Sequence, residues 1–267
     1  MLPFFRKIRY RLAANNQFIK YSRYAIGEIA LVVVGILIAL QVNNWNEDKN
    51  TRKIENKLLQ ELKTDLEETK LDLLTDMDKA QFELLVIDSL YQKIQNDRAN
   101  NNPQPIRISM QFIYNRSKLV PKNSAYESLQ AFGINLITND HLRKSITDLY
   151  ELQLVRVDDL EKYIKEVLEQ GFLPHLIEVS KPTDDCIDCK SLKELFSQRS
   201  ARNTKYYHVN APSLGSNYYE VDSPDDQFLH LLKIKYMAYS ALTSLYTSTS
   251  QSIDDLIDNI DLENSSN

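Results

Sequence analysis

One stretch near the N-terminal end is apolar without interruption. From Tyr24 to Val42 the chain reads YAIGEIALVVVGILIALQV, and Ile29–Leu40 carry no polar side chain. At about 1.5 Å per helical residue this run spans roughly 29 Å, close to the hydrocarbon thickness of a bilayer. It predicts a transmembrane helix over residues 24–42. A cleaved signal peptide and a buried core helix are the other readings of such a run. A long charged head and the poor cleavage site Leu40-Gln41-Val42 weigh against the first, and the unbroken apolarity weighs against the second.

Beyond residue 50 the pattern becomes periodic. Thr51–Asn96 contains no Pro or Gly, and Leu59, Leu62, Leu66, Thr69, Leu73, Met77, Ala80, Leu84, Ile87, Tyr91 and Ile94 follow at steps of three and four. This predicts a long helix with a heptad seam and one stutter around Leu73. Asn43, Asn44 and Asn46 leave open whether the membrane helix continues into that stalk. Arg98–Pro105 reads as a polar turn, and Ile106–Asn115 as either a short helix or an edge strand. Ser124 and Glu127 have capping-box spacing for a helix to Phe132, with Gly133 as its end. Asn139 and its neighbours cap a long helix to Gln170, stopped by Gly171, with Ile146, Tyr150, Leu154, Val157, Ile164 and Leu168 on its buried stripe.

The last helix has Ser223 as N-cap, Pro224 at its first position and Asp225 and Asp226 in its first turn. It should run to Leu262 with a seam of Tyr239, Leu242, Tyr246, Thr249, Ile253, Leu256 and Ile260, leaving residues 263–267 as a disordered tail. Residues 179–221 break the helical rule, and Tyr206-Tyr207 and Tyr218-Tyr219 flank a candidate hairpin. The expected architecture is all-α. A basic amphipathic segment (1–23) and a membrane helix (24–42) precede an elongated helical bundle (43–262) with one irregular insertion.

Charge orients this arrangement. The net charge of −5 conceals six basic groups and no acidic one in residues 1–23, leaving 26 basic against 37 acidic groups elsewhere. Basic residues flanking a span stay in the cytoplasm, so the bundle is expected outside it, in the periplasm of an inner-membrane protein. Phe4, Phe5, Arg6 and Arg9 suit contact with the membrane surface, as does Trp45 at the other boundary. The acidic body argues against nucleic-acid binding. Within the span, Gly27, Gly35 and Ala39 share a face that lets helices approach closely. Glu28 is an intramembrane acid that either marks an ion path or reaches the headgroups with Lys20 or Arg23.

Candidate chemistry is sparse. Five glycines argue against glycine-rich phosphate loops, and four scattered histidines against a multi-ligand metal centre. Cys186-Ile187-Asp188-Cys189 admits four readings: a local disulfide, free thiols, a metal site or a redox pair. In an oxidising compartment the disulfide Cys186–Cys189 is the simplest. No catalytic, cofactor or metal residues are assigned.

FFRKIR at Phe4–Arg9 and KYSRYAIGEIALVVVGILIALQVNNWNE at Lys20–Glu47 resemble the N-terminal signature of a Bacteroidota family of single-pass membrane proteins of unknown function. A fainter similarity covers SAYESLQAFGINLITNDHLR at Ser124–Arg143. There Phe132-Gly133-Ile134-Asn135 stands where relatives read Ser-Gly-Asn-Leu. The resemblance implies an inner-membrane anchor with a periplasmic domain and no activity. The functional expectation is a non-enzymatic interaction or scaffold protein that binds a protein partner or another copy of itself. A ligand-sensing module with an unknown small-molecule ligand is the alternative, and a thiol-redox protein a third.

Overall fold

The computed structural model describes residues 18–109, 118–183 and 218–266. Two compact units divide the chain, Met1–Leu58 and Leu59–Asn267. The fold is all-α with one small sheet. Helix α1 covers Phe18–Ala99 and stays helical across the asparagine-rich junction, where Asn43 Nδ2 donates to Glu47 Oε1 at 2.9 Å. In the first unit its apolar residues from Ile26 to Val42 are exposed.

In the second unit the seam of α1 has no stutter. The buried positions are Leu59, Leu62, Leu66, Thr69, Leu73, Asp76, Ala80, Glu83 and Ile87, alternating steps of three and four, and then Ile94 one heptad on. The apparent stutter came from taking Met77 and Leu84, which are only half-buried, in place of the charged Asp76 and Glu83 beside them. Charged side chains hold core positions here because partners await them.

After a turn, β1 (Ile106–Ser109) is a strand, with Ile106 and Ile108 alternating inward; the rest of the Ile106–Asn115 stretch lies outside the described residues. Helix α2 (Ser124–Phe132) follows. Its expected capping box is absent: Asn123 is the N-cap residue, and Asp65 of α1 accepts from both Ser124 Oγ and the Ala125 amide at 2.8 Å. Gly133, at φ +97°, ends α2 in a conformation that L side chains rarely adopt.

The next helical run begins as α3 (Asp140–Asp148), capped by Asn139 Oδ1 on the amides of His141 and Leu142. It continues through a π-turn (Leu149–Gln153), α4 (Leu154–Glu166), a second π-turn (Val167–Phe172) and α5 (Leu173–Val179). Gly171 therefore does not stop the helix. Among the described glycines only Gly133 has positive φ, and Gly171 lies inside the second π-turn against Leu231. The predicted stripe is buried throughout, and Glu161 fills its gap between Val157 and Ile164.

Strands β2 (Lys181–Thr183) and β3 (Tyr218–Val221) complete an antiparallel sheet of order β1-β3-β2. Ile106 pairs with Val221 and Lys181 with Glu220. Tyr218-Tyr219 thus belongs to the central strand; the Tyr206-Tyr207 half of the expected hairpin lies outside the described residues.

Helix α6 spans Asp226–Ser266. Its cap is Asp225 rather than Ser223, because Asp225 Oδ1 accepts from the Phe228 amide at 2.7 Å. Residues 263–266, expected as part of a disordered tail, are helical, and Glu263 accepts from Asn139 Nδ2 at 2.7 Å. All seven expected seam residues of α6 are buried.

Candidate functional site

Cross-helix pairs fix how α6 lies on α1. Lys63 meets Asp261 at 2.7 Å, Lys70 bonds Asp254, and Thr247 Oγ1 lies 3.6 Å from Met77 Sδ. Farther along, the Lys233 ammonium sits 5.3 Å from the Tyr91 ring, and Arg98 meets Asp226 at 2.6 Å. Each step adds seven, or twice seven, residues on α1 and removes as many on α6. The two helices form an antiparallel heptad pair with one flank column of contacts.

Inside that pair lies a charged centre. Lys235 bonds Glu83 with both side chains almost fully withdrawn from solvent, at 1% and 2% exposure. The Lys235 ammonium also lies 5.6 Å from the Phe172 ring and 5.7 Å from that of Tyr239. The second π-turn ends at Phe172, so three helical segments converge on one ammonium group. Burial pushes the Lys235 amine below its ordinary range, opposed by the Glu83 carboxylate.

A second polar centre surrounds Glu161. Its Oε1 accepts from the Tyr246 hydroxyl at 2.5 Å and from the Leu119 amide at 3.0 Å, while Oε2 is buried without a hydrogen-bond partner among the described residues. Burial raises the Glu161 carboxyl above the usual carboxylate range; the two hydrogen bonds oppose this, and Asp76 and Asp158 reinforce it. Protonation at Oε2 would remove the charge that burial disfavours and leave Oε1 as the acceptor for both donors. Burial also raises the Tyr246 hydroxyl, with Glu161 adding to the effect.

The Leu119 amide belongs to a strap, residues 118–123, tied to three helices. Besides Glu161 of α4, Thr69 Oγ1 of α1 accepts from the Lys122 amide at 2.9 Å, and the hydroxyl of Tyr150, in the first π-turn, donates to the Lys122 carbonyl at 3.2 Å. Tyr150 stacks on Tyr126 of α2, ring centres 4.2 Å apart and nearly parallel. Desolvation and the Glu151 carboxylate it bonds push the Tyr126 hydroxyl up to about 12. Between strap, α2 and α4 runs a groove of about 530 Å³. Val120 and Val155 stand exposed at its lip, while Lys118, Glu127, Gln130 and Asp158 form a polar rim.

The residues singled out in the sequence lie elsewhere. Gly27, Gly35 and Ala39 are exposed on α1, and nothing lies within 4 Å of where a Cβ on either glycine would sit. Glu28 is half-buried, and Trp45 is exposed with the Lys49 ammonium 5.7 Å from its ring. Phe4, Phe5, Arg6, Arg9, Cys186 and Cys189 fall outside the described residues. His175 is buried against Asp225 at 3.0 Å. Burial opposes ionisation of Asp225, but the Phe228 amide and His175 outweigh it and hold its carboxyl below the ordinary range. Among the described residues no three His, Cys, Asp or Glu side chains group as metal ligands would.

Asp76, Glu83, Glu161 and Lys235 were missed because they are charged. The available signal was periodicity itself: each stands where the seam, extended by three or four residues, requires a buried side chain.

These features define a helical-bundle protein in which, among the described residues, one helix is long and apolar enough to cross a membrane. Over residues 28–172 the sequence matches a family of unknown function, DUF6090, and the chain belongs to that family. No curated protein matches it, and no solved structure does.

Proposed function

We propose that this protein is a non-enzymatic, single-pass membrane protein whose bundle binds a protein partner or a second copy of itself. The basic leader supports a cytoplasmic N-terminus and a periplasmic bundle, in keeping with the resemblance of residues 20–47 to Bacteroidota inner-membrane proteins. The observation that carries the binding reading is the groove beside the strap. An apolar lip with a polar rim is the anatomy of a protein-docking surface, and Val120 is 63% exposed beside stacked, buried tyrosines. The exposed apolar side chains from Ile26 to Val42 support the anchor, since lipid is the solvent that such a surface requires.

Orientation is tested with single cysteines at Asn15 or Ser244, in a Cys186→Ser, Cys189→Ser background, labelled in intact spheroplasts by an impermeant maleimide. Position 244 should label and position 15 should not; the reverse pattern removes the periplasmic assignment. Binding is tested by crosslinking in cells, mild extraction and comparison of the wild type with Val120→Asp/Val155→Asp. The reading expects a stable captured species that this variant loses. Equal capture by the variant, or a monomer with nothing attached, overturns it.

A sensing role draws on the same groove, whose volume falls within the range of small-ligand sites. It predicts thermal stabilisation by a small molecule and loss of that shift in the same variant.

A further inference from the structure

We infer that the buried Glu83–Lys235 pair and the flank contacts together lock α1 and α6 in one axial register, making the pair a strut that does not slide. Heptad pairs are degenerate by construction, because a slip of seven residues restores most apolar layers. In this pair the two possible one-heptad slips are opposed by different residues. Moving α6 one way brings Lys235 opposite Leu90, stripping a buried ammonium of its carboxylate, and sets Lys233 against Arg98. Moving it the other way brings Lys235 opposite Asp76, the other charged member of the α1 seam, so the core alone does not forbid that slip.

The flank does. Lys70 would then face Thr247, Lys233 would face Leu84 instead of the Tyr91 ring, and Arg98 would lose Asp226. Phe172 adds a third constraint. It belongs to the π-turn rather than to either sliding helix, so Lys235 cannot move along α1 and keep this ring. A buried polar pair that fixes register at the expense of hydrophobic packing is the best-attested use of such groups. A strut of fixed register holds a spacing and carries load. It does not act as a piston relay between these two helices, so the lock favours a scaffold over a sliding sensor.

The test uses the full chain in membrane vesicles, with Cys186 and Cys189 changed to serine and pairs of cysteines introduced for copper-phenanthroline oxidation. Met77→Cys with Thr247→Cys reports the observed register. Met77→Cys with Ser240→Cys and Leu84→Cys with Thr247→Cys report the two slips. The lock predicts efficient linkage of the first pair and at least tenfold less of the others. It further predicts that Glu83→Leu with Lys235→Met, combined with Arg98→Ser, raises the 84–247 product severalfold. Comparable linkage of a slipped pair with all charges in place overturns the inference, as does a charge-stripped variant that stays helical yet forms only the 77–247 bond. If that variant does not fold, Glu83→Leu with Lys235→Met alone serves, since apolar replacement of a whole buried pair is commonly tolerated.

Discussion

Ionisation of Glu161 is coupled to folding. Its carboxyl is raised in the folded bundle relative to the unfolded chain. Below the ordinary carboxylate range both states hold the proton and no penalty arises. As pH rises, the unfolded chain ionises first, so stability falls until pH passes the folded value. Glu161→Gln keeps an acceptor for Leu119 and Tyr246 while removing the charge. Urea midpoints measured from about pH 4 to 8 should decline less for this variant than for the wild type; parallel slopes would show that Glu161 ionises freely. Lys235 gives the complementary case. Lys235→Met alone takes away the ammonium that bonds the buried Glu83 and should destabilise the bundle by about 3–5 kcal/mol, whereas the double change with Glu83→Leu should recover most of that loss in chemical denaturation.

Two glycines that look alike in sequence separate at the scale of elements. Gly133→Ala forces a side chain onto φ +97° and should cost roughly 1–3 kcal/mol. Gly171→Ala meets Leu231 Cδ2 at an ordinary 3.4 Å inside a continuous helical run, so it should be neutral or stabilise by up to about 1 kcal/mol. Thermal melts of the two variants check the contrast. Asn139→Ala should lose about 1 kcal/mol through its cap. Periodicity was a sound guide to these elements: the seam of α6 and the stripe from Ile146 to Leu168 are buried as read. It failed where an apolar neighbour tempted the eye from the true register, as at Asp76 and Met77. Local signals failed where the structure supplies a remote partner. Asp65 caps α2 from another helix, and the π-turn absorbs Gly171, facts that no short window contains. The strap and groove were illegible for the same reason, being assembled from α1, α2 and the run from Tyr150 to Glu161.

For the whole molecule, the exposed apolar helix is the feature that sets its environment. Val33→Lys with Leu37→Lys places two charges near the middle of the run, each costing about 2.5–3.5 kcal/mol on insertion scales. The wild type should resist carbonate extraction, and the variant should leave the membrane fraction or aggregate. Release of the wild type by carbonate would remove the anchor. Charge is also divided by scale: the basic leader is compact in sequence, while the acidic excess is spread over the body, where Asp254, Asp261 and Asp226 are used one by one as partners of α1.

Trp45 is the sole indole in the chain and lies in the first unit, exposed beside Lys49. Its emission colour and quenching by brominated lipid therefore report on that unit alone. Far-ultraviolet ellipticity reads helix from both units, and tyrosine emission includes the stacked Tyr126 and Tyr150 of the bundle. The native chain thus carries an indole channel confined to the first unit beside a helical signal from the whole chain, and a titration in which the two change at different denaturant concentrations would show the units melting separately without any attached dye.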